Sequence, residues 1–148
     1  MKKKILGRKE KITLPELGLN LVGAKIDTGA YTSSLHAEEI RIEEIDGRKL
    51  LYFKILMPAH KMYTGKTLCF ESYREKKVKN SFGQVEARFL IETKLQLAGE
   101  IFRAEFTLTD RSSMKNSILL GRKILRGKFL VDVSKTNLGK PYRKKKST

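Results

Sequence analysis

KIDTGAYTSSLHA, residues 25–37, joins two apolar segments through a break at Asp27-Thr28-Gly29. Val22, Ala24 and Ile26 alternate into a strand ahead of the break, and Gly29 lets the backbone turn close to whatever lies opposite. Alone, Asp-Thr-Gly is a weak signal, because aspartate and glycine are ordinary turn residues. Asp27 is either a reactive carboxylate or the acid of a turn, and the surrounding chain has to decide.

Outward from this break the pattern is short apolar alternation rather than helical periodicity. NLVGAKID, EEIRIEEI, KLLYFKIL, VEARFLIET, KLQLAG, EIFRAEFTLTD and KFLVDV all read as strands. Asp46-Gly47 is a strong hairpin signal and Ala98-Gly99 predicts a second turn. Ile118, Leu119 and Leu120 read as a buried strand that runs into Gly121–Arg126, GRKILR, the one short helix. Residues 58–81 are the least regular part, read as a long hairpin, and GKPYRKKKST from Gly139 onward is expected to fray. The fold class is all-β, a closed barrel or sandwich with one short C-terminal helix.

At 148 residues the chain is expected to form one domain over 1–140, with a basic disordered tail at 141–148. Its 32 basic and 16 acidic residues give a net charge of +16, a field that favours anionic partners without naming one. A single cysteine, Cys69, excludes an internal disulfide and suits a reducing compartment. No apolar run approaches the length of a membrane helix and the N-terminal lysines lead into no signal segment, so a soluble cytoplasmic protein without membrane partners is expected.

Missing motifs prune several enzyme classes. Gly65-Lys66-Thr67 has the form of the end of a P-loop, but His60 stands where its first glycine belongs. His36 and His60 open no HExxH helix, and with Cys69 they form no zinc signature, so neither a metal nor another cofactor is expected. Tyr52, Phe53, Tyr63, Phe70 and Tyr73 offer stacking platforms for nucleic acid, yet their alternation with leucine and isoleucine favours the core.

The order strand, Asp-Thr-Gly-Ala, hairpins, strand, Gly-Arg, helix changes the weight of Asp27. GRKEKITLPELGL, AKIDTGAYTSSLHA, GQVEARFLIET, FTLTDRSSMKNSILLGRKIL and KFLVDVSKT follow one another in the order of blocks in a bacterial family. From about Gly7 to Leu138 the chain resembles the bacterial retropepsin-like aspartic peptidases, of the acid-protease superfamily. That family has carried the label of an ATP-dependent zinc protease and is often encoded beside glutamate ligases. The residues themselves support neither ATP nor zinc.

The resemblance implies an acid-protease barrel with one catalytic aspartate per chain, Asp27. A second carboxylate then comes from a homodimer, each chain giving one Asp27 to a dyad that shares a proton. By the same resemblance Thr28 hydrogen-bonds across the dimer axis, Gly29 brings backbone to the carboxylates, and Ala30 completes the motif on the substrate side. Gly121 and Arg122 support the site. Tyr31 and Thr32 stand where viral members carry an acid that pairs with the later arginine, so Arg122 needs another partner, for which Asp110 is the candidate. The glycine-rich viral flap is absent, and residues 58–84 are the candidate substitute.

His36 has two readings, a residue that tunes the dyad or meets an acidic substrate, and a polar group satisfied on the back of a strand. Asp110 and Arg111 are either substrate-facing or a structural pair. Asp132 reads as structural, with a second role open as an in-chain acid. The function expected is an aspartic endopeptidase on peptide or protein substrates, acidic ones favoured by the charge. Its rivals are an inactive binding module of the same fold, a nucleic-acid-binding β-barrel and, last, a metal-dependent hydrolase.

Overall fold

The computed structural model describes residues 2–79 and 82–139. Its strands are β1 Lys4–Leu6, β2 Lys9–Leu14, β3 Leu19–Ile26, β4 Ser33–Ile45, β5 Arg48–Ile55, β6 Thr67–Phe70, β7 Arg74–Lys79, β8 Val85–Leu97, β9 Glu100–Thr109, β10 Ile118–Leu120 and β11 Phe129–Val131. One helical turn, α1 Arg122–Leu125, follows β10, and a 3-10 turn at Pro15–Leu17 joins β2 to β3. The chain is mostly β with one short helix, as the alternation predicts.

Both hairpins form as read. Asp46 and Gly47 have φ of 52° and 78°, Ala98 and Gly99 of 53° and 80°, so each turn holds two left-handed residues and matches the twist of its strands. The main sheet runs β10-β3-β2-β8-β9-β4-β5-β6, with β7 on β8. Because β10 pairs in parallel with β3 and antiparallel with β4, the strands from β10 round to β4 close into a ring. β1 and β11 form a separate parallel pair.

Three segment readings are corrected. VEARFLIET and KLQLAG are one strand, β8: buried Thr93 takes an inward position, bonded to Glu16 Oε1 at 3.1 Å, and interrupts the apolar pattern. The irregular stretch 58–81 contains β6 and β7, whose inward residues are only half-buried and so alternate weakly. KEKITL is a full strand disguised by Glu10, which is 1% exposed where a hydrophobic residue would be expected. Glu10 accepts the backbone N–H groups of Gly7 at 2.7 Å, Leu138 at 2.9 Å and Gly139 at 3.0 Å. Those bonds satisfy a carboxylate that would otherwise be costly to bury.

Inside the ring, Leu35, Phe53, Ile91, Leu95, Phe106 and Ile118 are fully buried, each contributing about 1.5–3 kcal/mol of burial. Phe70 stacks obliquely on Phe53 with ring centroids 5.6 Å apart, and Tyr73 meets Phe89 edge-on. Those aromatics serve the core rather than a stacking platform; Tyr52 alone of the set lies outside it, beneath the Arg41 guanidinium. The basic tail from 141 lies outside the described residues.

Candidate functional site

Asp27 follows the last residue of β3 and its backbone N–H is taken by Leu120 of β10 at 2.9 Å. The chain then turns within one residue: Asp27 Oδ1 accepts the N–H of Gly29 at 2.9 Å, an Asx turn. A β-carbon on Gly29 would lie 3.2 Å from that same oxygen, so glycine suits the loop by space as well as by turning. No hydrogen bond from another described residue to Oδ2 accompanies it, and Asp27 is half-buried.

The loop is fastened to the start of α1. Arg122 N–H donates to Ala30 at 2.7 Å and Lys123 N–H to Tyr31 at 3.0 Å. Gly121 permits this approach, since a β-carbon there would stand 2.6 Å from the Tyr31 carbonyl oxygen and 2.8 Å from that of Ala30. Gly121 N–H donates to buried Ser33 Oγ at 2.9 Å. The Arg122 guanidinium donates to the carbonyl of Thr28 at 3.0 Å and lies 5.9 Å from the Tyr31 ring. Asp110 is therefore not its partner. Lys76 of β7 crosses the same ring from its other contact, 5.9 Å away, and donates to Thr32 Oγ1 at 3.1 Å. Tyr31 thus substitutes a π-face for the missing acid.

His36 is 1% exposed and both its nitrogens are engaged. Nδ1 accepts the backbone N–H of Arg111 at 2.7 Å, so Nε2 carries the proton and donates to Glu38 Oε2 at 2.8 Å. It is shut off from solvent. Through this bond it sets Arg111, whose side chain donates to the Asn116 carbonyl at 3.0 Å and Ser34 Oγ at 3.1 Å. Burial lowers the pKa of the Arg111 guanidinium, Arg88 pushes the same way and Asp27 opposes them. Asp27, Arg111 and Arg88 therefore share one electrostatic neighbourhood, in which a guanidinium stays charged at neutral pH.

Asp110 caps its own turn, accepting the N–H of Ser112 at 2.9 Å; the Ser112 hydroxyl and N–H hold its carboxyl below the usual range, with His36 adding to the effect. Asp132 does likewise with Ser134. Ser33, Ser34 and Arg88 escaped the sequence reading because they are ordinary polar residues on strands, with no spacing to mark them. Among the described residues no group of three or more His, Cys, Asp or Glu side chains could hold a metal. His36 has no free nitrogen and His60 Nδ1 accepts the Met62 N–H at 3.0 Å, so the donors do not fit zinc. Among the described residues no helix is long and apolar enough to cross a membrane.

A strand-borne aspartate in a turn, clasped by a Gly-Arg helix start, defines the retropepsin-like class. The model of the RimB-like family, described as retropepsin-like aspartic endopeptidase RimB, matches residues 5–141, and the chain belongs to that family. A Legionella pneumophila protein of unknown function, of the DUF785 group, superposes with a TM-score of 0.72 at 30% identity, covering 94% of this chain and 100% of its own. A protein of Desulfotalea psychrophila named probable alpha-L-glutamate ligase is 34% identical over 98% of this chain and 33% of its own length. A Shewanella halifaxensis protein of the same name is 33% identical over 89% of this chain and 29% of its own. The chain thus spans about a third of the length of these curated relatives.

These relatives overturn the function expected from sequence. Proteins that match nearly the whole chain are named for joining glutamate, which points to a ligase rather than to a homodimeric endopeptidase cutting acidic peptides.

Proposed function

We propose that this chain is an enzyme domain of an α-L-glutamate ligation system, working on the α-linked glutamyl chain through the Asp27 loop. The observation that carries this reading is the match of 98% of the chain to a third of a protein named probable alpha-L-glutamate ligase. Family membership supports the finer class, an aspartic, retropepsin-like chemistry on an acid-protease barrel, with Asp27 as its carboxylate.

Each residue has work that fits. Asp27 Oδ1 is occupied by the Gly29 N–H, and Oδ2, with no hydrogen bond from another described residue, is the oxygen left for contact with the glutamyl chain. Arg111 favours negative charge beside it, on Asp27 or on a glutamyl side chain. Thr28, Ala30, Gly121 and Arg122 keep the loop in place.

The test is to incubate the protein with oligo-α-L-glutamate, alone and with a purified α-L-glutamate ligase, ATP and free glutamate, reading chain lengths by mass spectrometry. Wild type is expected to alter the length distribution and a folded Asp27→Asn variant to leave it unchanged. An unaltered distribution in every arm, or an Asp27→Asn variant as active as wild type, overturns the reading.

A further inference from the structure

A cleft of about 330 Å³ opens beside β3, away from the Asp27 loop. Lys9 and Lys11 of β2, Lys61 of the loop after β5 and Lys115 ahead of β10 line it. None of these lysines forms an ion pair with another described residue, whereas Lys4, Lys54 and Lys123 each have a glutamate partner. Glu10 also lines the cleft, its oxygens held by the backbone N–H groups of Gly7, Leu138 and Gly139. Four lysines from separate segments face that single carboxylate, so the net charge of the cleft is positive.

Its neighbours report the same field. His60, on the wall, has its pKa lowered below 6.5 first by burial and then by the charges of Lys61 and Lys11. Asn116 lines the cleft, and its backbone carbonyl receives the Arg111 guanidinium, a cation near enough to Asp27 for their charges to interact. Gly23, in the cleft, precedes Asp27 by four residues of β3, roughly 13 Å at the rise of a strand. An extended acidic chain of about four residues covers that span.

We infer that the lysine cleft is an anion subsite that seats side-chain carboxylates of an α-linked glutamyl chain while a bond farther along that chain lies at Asp27. This rests on the glutamyl reading of the site. The spacing of the lysines on different segments favours several carboxylates over one compact anion.

The test is calorimetric binding of hexa-α-L-glutamate to the Asp27→Asn protein, so that no turnover intervenes, with a single-stranded oligonucleotide of equal charge for comparison. Lys61→Glu with Lys115→Glu is expected to weaken hexaglutamate binding roughly tenfold or more, and Lys49→Glu with Lys94→Glu, the same change in net charge elsewhere, to weaken it far less. NMR of the imidazoles is expected to show His60 moving on binding and His36 staying still. Equal loss in both double variants, an unmoved His60, or tighter binding of the oligonucleotide overturns the subsite. Chain-length activity that survives Lys61→Glu with Lys115→Glu at low substrate overturns the subsite alone and leaves the Asp27 reading standing.

Discussion

His36 Nδ1 accepts the backbone N–H of Arg111 at 2.7 Å, anchoring a residue whose guanidinium is bonded to Asn116 and Ser34 and lies within reach of the charge of Asp27. A buried imidazole in β4 thereby anchors a cation at the end of β9, the two strands running parallel with His36 opposite Thr109.

His36→Ala removes this acceptor, frees Glu38 and leaves a void, a loss of about 3 kcal/mol in urea unfolding. His36→Gln, which keeps an acceptor and a donor, is expected to recover part of it. Equal stability of wild type and His36→Ala would show the bond to be incidental.

Two glycine substitutions separate crowding from flexibility. Gly121→Ala drives a methyl into the carbonyls of Tyr31 and Ala30 and is expected to cost about 2–3 kcal/mol, read as a lowered melting temperature. Gly23→Ala meets only Lys11 Nζ at 3.9 Å and is expected to stay within about 1 kcal/mol of wild type. A Gly121→Ala protein that melts with wild type would mean that the loop and α1 are not held together as described.

Glu105 of β9 bonds to Lys123 of α1 and Arg74 of β7, joining three elements. The Lys123 hydrogen bond is the main cause that holds its carboxyl below 4.5, with the charges of Lys123, Arg74 and Lys76 assisting against burial. An acid depressed on folding stabilises the protein above its unfolded value, and that contribution fades as pH falls from 4.5 through the folded one. Glu105→Gln is therefore expected to cost about 1 kcal/mol at neutral pH and progressively less on acidification below 4.5. Parallel stability curves for the two proteins across that range would refute the linkage.

The strands with clean alternation, the two hairpins and the short helix were legible in the sequence because their side chains obey a period of two or a turn preference. β2 and the middle of β8 were not, since Glu10 and Thr93 occupy inward positions and are satisfied by partners remote in sequence, Leu138 and Glu16. At the site, Asp27, Gly29, Gly121 and Arg122 form one unit, as motif order implies. The role of Tyr31 towards Lys76 and Arg122, and of His36 towards Arg111, depended on which strands lie side by side, a fact no local spacing encodes.

One oxygen of Glu10 takes both Gly7 and Leu138, and the other takes Gly139. One buried side chain consequently staples residue 7 to residues 138 and 139, so two stretches far apart in sequence lie side by side.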